Sequence, residues 1–178
     1  DQTRRLARVE LNSLELPAEA LLGEFEQGWS PLAHALRRSA VALAAEQVGG
    51  SQKCLDMSVA YALERQQFGR AIGSFQAIKH KCANMLIRVE GSRSIAAGAA
   101  RALEEGQTDA SRICSIAKAY TTEAYREVRA EGIQIHGGVG FTCEFDCHLF
   151  YKRARANAIL GGHADEHRRK IAACEWLQ

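Results

Sequence analysis

The sequence predicts an all-α protein, an up-and-down bundle of four-helix type preceded by one or two short strands. Three observations carry that expectation. Only two prolines occur in 178 residues, Pro17 and Pro31, and both lie near the front. From Ser51 onward the chain is rich in Ala, Leu, Glu, Arg and Lys, which lose little on entering a helix. Long stretches of helical period are separated by glycines with short connections, and short connections make neighbouring helices antiparallel.

In chain order, Arg5 to Leu16 alternates: Leu6, Val9 and Leu11 are interrupted by Arg8, Glu10 and Asn12. That period predicts one or two half-buried strands. An isolated hairpin is marginal in water, so the chain reads as cut from something larger, with its sheet partners upstream. Pro17 to Ser30 reads as a loop punctuated by Gly23 and Gly28. Ser30-Pro31 offers a helix start, a capping hydroxyl followed by proline at the first helical position. A helix follows from Leu32 to about Arg65, interrupted only at Gly49-Gly50. Each mid-helix glycine costs about 1 kcal/mol relative to alanine, which implies a close approach to the backbone, better explained by packing than by a ligand. Phe68 to Gly73 is a turn. Ser74 opens a second helix to about Glu105, with Phe75, Ile78, Cys82, Met85 and Val89 as its apolar stripe. Gly106 ends it, and Thr108-Asp109 can cap a third helix to about His136. After Gly137-Gly138 and Gly140, a fourth segment spans His148 to Ile159. Gly161-Gly162 precedes a last helix over Ala164 to Trp176.

The bulk numbers exclude several classes. Net charge is +2, with basic and acidic residues interspersed, so nothing resembles an electrostatic footprint for nucleic acid. No apolar run has membrane-spanning length and no signal-peptide pattern opens the chain. Of six cysteines, Cys54, Cys82, Cys114 and Cys174 fall at apolar or neutral positions of helical segments. Free core thiols in a reducing cytoplasm fit them better than a disulfide framework.

Two constellations carry chemistry. Glu64 to Arg70, followed by Gly73 to Ile78, places two glycines, an aromatic, basic groups and a glutamine in one short stretch. Arginine beside exposed turn backbone and a flat aromatic face suits an anionic ligand bearing a ring. The plain alternative is an arginine that satisfies a helix C-terminus and a phenylalanine that plugs the core. In Gln134 to Phe141, the glycines of Gly137-Gly138-Val139-Gly140 leave backbone open to a ligand or another chain. It is not a dinucleotide fingerprint, since no strand precedes it, and taken alone it reads as a helix C-cap and loop.

Together these strings resemble the acyl-CoA dehydrogenase family. Tyr61 to Arg70 is similar to that family's YAxxRxxFGxPI turn, Gly73 to Lys79 with His80 to its xxFQAIxH continuation, and Gln134 to Phe141 to QxxGGxGF. Arg4, Leu6 and Val9 resemble the final strands of its middle β-domain. The resemblance implies residues 1–24 as the end of that β-domain and a linker, and 25–178 as the C-terminal helical domain. It also implies FAD, with Arg65 at the pyrophosphate and Phe68 beside the cofactor. Gln134, Gly137 and Gly138 would hold the ADP half of a flavin bound by a neighbouring subunit, with Gln76 beside that interface. An acyl-CoA substrate and a homo- or hetero-oligomer of such subunits follow from the same resemblance.

The family removes a proton alpha to a thioester and so needs a carboxylate base. Most members place a Glu directly before a Gly ahead of the last helix; here that place is Gly161, before Gly162. Relatives that put the Glu on the first helix would have it where Ser39 stands. Glu46, two turns on, is the candidate replacement, or else a packed, hydrogen-bonded structural residue. Glu144 and Asp146 read as loop and capping residues. The stretch from Gly140 to Gly162 resembles actinobacterial members of sterol and steroid degradation, in which two unlike subunits assemble and one carries the base. The function implied is α,β-dehydrogenation of an acyl-CoA with the base supplied by a partner subunit; the alternative is a flavin-holding subunit without chemistry. A remote rival is a zinc hydrolase: His163-Ala164-Asp165-Glu166-His167 matches H-x-x-E-H, with Glu175 as third ligand. A polar helix start explains that match as well, and Cys143, Cys147 and His148 lack a fourth ligand, so no metal is expected.

Overall fold

The computed structural model describes residues 2–176, with side chains described as far as residue 173. Cys174 and Glu175 therefore lie outside the described side chains. Among the described residues five α-helices carry the architecture: α1 (Trp29–Glu64), α2 (Gln76–Glu104), α3 (Ala110–His136), α4 (Cys147–Ile159) and α5 (Ala164–Trp176). Helix α3 is central, packing against α1, α2, α4 and α5. The strands are two short segments, β1 (Gln66–Gln67) and β2 (Arg70–Ala71), paired antiparallel between α1 and α2.

The core has two parts. One gathers Leu55, Met85, Val89, Tyr125, Val128 and Ile135 from α1, α2 and α3. The other is built on Ala44, Val48, Ala96, Ala99 and Ala117, whose small side chains let the three long helices approach closely. Some of the polar groups between the helices are paired, although Ser51 Oγ and Ser92 Oγ are not. Thr121 Oγ1 donates to Gln47 Oε1 at 2.5 Å, and Gln47 Nε2 donates to Thr122 Oγ1 at 3.1 Å. Cys54, Cys82, Cys114, Cys143 and Cys147 are free thiols, and burial pushes Cys54 up to about 12. No helix among the described residues is long and apolar enough to cross a membrane.

The structure departs from the sequence expectation in four places. Residues 5–16 form no strand, and Leu6, Val9 and Leu11 are exposed. Alternation supplies a face but not the hydrogen bonds, and no described strand lies alongside to pair with it. Helix α1 begins earlier, at Trp29, with Gly28 as its N-cap. Pro31 is thus its third residue, where the missing N–H has no acceptor inside the helix anyway. Helix α2 begins later, at Gln76, because Ile72–Ser74 forms a 3-10 turn in which Ser74 Oγ donates to Ala71 O at 2.7 Å. Finally, α1 runs unbroken through Gly49-Gly50. A Cβ on Gly50 would lie 2.5 Å from Cζ and the hydroxyl of Tyr125, whereas one on Gly49 would meet nothing within 4 Å. Packing explains Gly50 and leaves Gly49 free.

Candidate functional site

The end of α1 builds one wall of a cleft. Arg65 is the C-cap, in an extended conformation, and its N–H still reaches Tyr61 O at 2.8 Å. The chain then doubles back as a hairpin, Gln66 opposite Ala71 and Gln67 opposite Arg70, leaving Phe68 and Gly69 as a two-residue tip. Both tip residues have positive φ, 53° and 76°. That is the sign pattern of the hairpin turn that favours Asn-Gly, and a phenylalanine there costs about 1–3 kcal/mol. The ring of Phe68 is 92 % exposed. It meets Phe75 edge-on at 6.1 Å, while the Arg70 guanidinium lies 4.0 Å above Phe75. Gly73 seats the hairpin on α1, since a Cβ there would lie 2.8 Å from Ala62 O.

The opposite wall is the end of α3. Gly137 leaves the helix at φ 66°, and Gly137–Phe141 continues as a 3-10 turn. A Cβ on Gly137 or Gly138 would meet nothing within 4 Å, so bare backbone faces open space. Between the walls lies a cleft of about 580 Å³, lined by Tyr61, Arg65, Phe68, His136, Gly137 and Gly138 among others. Four of the six expected cofactor residues therefore converge. Gln76 and Gln134 are exposed and do not line it. The sequence reading passed over His136, although its place directly before the glycine pair was the available signal. Its ring stacks on Tyr61 at 4.5 Å, with Phe145 edge-on at 5.6 Å.

The turn Gly161-Gly162 lies elsewhere, against α1 and α3. Both glycines have positive φ, 74° and 102°, and a Cβ on Gly161 would come 3.2 Å from Leu43 Cδ1. Buried Lys118 holds this turn, donating to Asn157 O at 2.9 Å, Thr122 Oγ1 at 3.1 Å and Gly162 O at 3.3 Å. Its charge also faces the C-terminal end of α4, which favours a cation. Burial without a carboxylate partner brings its ammonium down to about 8. His167 Nε2 lies 3.0 Å from Gly161 O, and burial lowers this imidazole against the raising effect of that bond. A cavity of about 470 Å³ beside the turn is lined by Trp29, Arg37, Cys114, Gly161, Glu166 and Lys170 among others. Glu166, read from the sequence only as part of a zinc match, is the acidic side chain on that lining. Ser39 is exposed and does not line it.

Glu46 has both carboxylate oxygens engaged. Oε1 accepts from Arg153 at 2.5 Å and Asn157 at 2.6 Å, and Oε2 from Arg4 at 2.8 Å. Burial would raise this carboxyl, but the bonds from Arg153 and Asn157 and the charges of Arg153 and Arg4 outweigh it and hold it below its ordinary value. Glu46 also borders a separate cavity of about 400 Å³ with Gly49, Gly50 and Tyr125. No group of three His, Cys, Asp or Glu side chains among the described residues is arranged to hold a metal ion.

Residues 26–174 match the family model described as the acyl-CoA dehydrogenase C-terminal domain. The chain belongs to the acyl-CoA dehydrogenase family. It is 38 % identical over 174 residues to the acyl-CoA dehydrogenase IpdE2 of Mycolicibacterium smegmatis, covering 97 % of this chain and 50 % of that one. The chain thus spans about half the length of the curated relatives it matches first. Its fold is similar to that of glutaryl-coenzyme A dehydrogenase in complex with glutaryl-CoA, with a TM-score of 0.89 and 31 % identity, covering 93 % of this chain and 42 % of that one. It is also similar to a steroid acyl-CoA dehydrogenase variant, Tcur3481-Tcur3483, with a TM-score of 0.77 and 29 % identity over 80 % of this chain and 39 % of that one. Acyl-CoA dehydrogenases are FAD-dependent oxidoreductases. The cleft fits such a group in its chemistry, with a cationic fork, an exposed aromatic face and bare backbone on facing walls.

Proposed function

We propose that this acyl-CoA dehydrogenase chain is a flavin-binding part of an enzyme that introduces a double bond alpha,beta to the thioester of an acyl-CoA. The observation that carries this reading is the convergence of Arg65, Phe68, Gly137 and Gly138 on one cleft of about 580 Å³. Arg65 pairs with the pyrophosphate of FAD, Phe68 covers a ring of the cofactor, and the open backbone at Gly137-Gly138 admits the ADP half. Gln76 and Gln134 stand at the rim, where a second chain would bring them into contact. When bound, FAD supplies the hydride acceptor.

The base comes from a partner subunit. Gly161 has no side chain, Ser39 is no proton acceptor at neutral pH, and Glu46 is committed to two guanidinium groups. Assembly with a further acyl-CoA dehydrogenase subunit, like or unlike, also accounts for the exposure of Phe68, Leu63, Ile87 and Phe141. Residues 1–24 belong to the end of the middle β-domain and its linker, and 25–178 to the helical domain. A steroid-derived acyl group is the substrate class, supported by the steroid enzyme among the similar structures. The enzyme works in the cytoplasm, in keeping with its buried free thiols. The second reading, a subunit that holds flavin without chemistry of its own, draws on the same vacancy at Gly161.

Arg65→Ala tests the cleft. A charge-assisted bond to phosphate is worth about 1.5–3 kcal/mol, so FAD affinity of the purified complex should fall at least about tenfold. Unchanged flavin content on dilution would remove the reading.

A further inference from the structure

We infer that His136 reads the nucleotide half of the bound cofactor, its Nε2 accepting a hydrogen bond from an N–H or O–H donor of the ligand. This rests on the flavin reading of the cleft and adds a residue to it. His136 Nδ1 lies 2.7 Å from Gly132 O. A carbonyl oxygen can only accept, so Nδ1 carries the hydrogen, and in the neutral ring Nε2 is left as an acceptor.

The ring cannot turn away from that role. It is 5 % exposed, stacked on Tyr61 at 4.5 Å and 24°, and braced by Phe145, which also meets Tyr61 edge-on at 5.8 Å. Nε2 has no partner among the described residues, yet it is not sealed off. The unpaired polar atoms shut away from solvent include Nδ1 of His167 and not Nε2 of His136. Nε2 is thus an acceptor open to solvent, and His136 lines the cleft. Its place directly before Gly137-Gly138 sets it beside the open backbone, across the cleft from Arg65. Phosphate oxygens only accept and would be unwelcome against Nε2, so the ligand atom there is a donor. The adenine amino group and the ribose hydroxyls are the two sources on a flavin dinucleotide.

The test titrates the complete apoprotein, with any partner subunit present, using three ligands: FAD, its hypoxanthine analogue, and an analogue whose ribose has lost its hydroxyls. Wild type should bind one analogue about tenfold more weakly than FAD. Loss with hypoxanthine names the amino group, and loss with the altered ribose names a hydroxyl. His136→Phe keeps an aromatic stack without the acceptor, so it should bind FAD about tenfold more weakly and no longer distinguish that analogue. His136→Gln, whose Oε1 reaches towards the position of Nε2, should restore most of the affinity. Unfolding midpoints of the apoproteins report whether the variants fold. If wild type binds both analogues as it binds FAD, the inference is overturned without recourse to any variant. It is equally overturned if His136→Phe retains wild-type discrimination. Arg65→Ala separates the levels: no effect there sinks the cleft itself, whereas a weakened Arg65→Ala beside an unaltered His136→Phe sinks only this inference.

Discussion

Phe68 occupies a backbone conformation that bulky side chains avoid, at φ 53° with its ring 92 % exposed. If Phe68 covers the cofactor as proposed, its conformational cost and its contribution to binding can be separated. Phe68→Asn installs the residue this turn favours and should raise thermal stability by about 1 kcal/mol, while weakening flavin binding. Stability and affinity moving in the same direction would contradict the role given to Phe68. At Glu46 the expectation is structural. Its folded carboxyl is held below the ordinary 4.5, so it contributes stability above that value, lost as pH falls from there through the lower folded value. Glu46→Gln should cost about 1–2 kcal/mol at neutral pH, reduced by the one-third exposure of the side chain. The gap between wild type and variant should close in acid; urea titrations at pH 7 and pH 3 measure it, and a constant gap would mean that ionisation of Glu46 is irrelevant.

Among the elements, α1 shows how two identical neighbours can differ. Gly50→Ala drives a methyl into the buried Tyr125 ring and should destabilise by about 1–3 kcal/mol, despite alanine's better helix propensity. Gly49→Ala meets open space and should stabilise by about 0.5–1 kcal/mol, read as opposite shifts of the unfolding midpoint. Helix lengths and order were legible because apolar period and glycine punctuation act locally. The continuity of α1 was not, since only the position of Tyr125 on α3 says why Gly50 is tolerated. Residues 5–16 form no strand here for a related reason: alternation is a property of one segment, a strand requires two, and the sequence places the sheet partners of this segment upstream. In the cleft, Arg65, Phe68, Gly137 and Gly138 were legible from their motifs. His136 was not singled out, because its significance lies in stacking on Tyr61, 75 positions away in the sequence and adjacent only in the fold.

At the scale of the whole molecule, the proposed function turns on a base supplied by a partner subunit. The chain brings the cleft proposed to hold flavin and a glycine turn held by Lys118 and His167, with no side chain at Gly161. Loss of a general base commonly costs about 10²–10⁴-fold in rate. The most direct measurement is anaerobic bleaching of enzyme-bound FAD by a panel of acyl-CoA thioesters, comparing the complete subunit alone with the same subunit co-expressed with a partner that carries the family glutamate. The account predicts very slow bleaching alone, rapid bleaching with the partner, and loss of the gain when the partner's glutamate is replaced by glutamine. Rapid bleaching by the subunit alone would contradict it, and Glu166→Gln and Glu46→Gln would then show which carboxylate takes the proton.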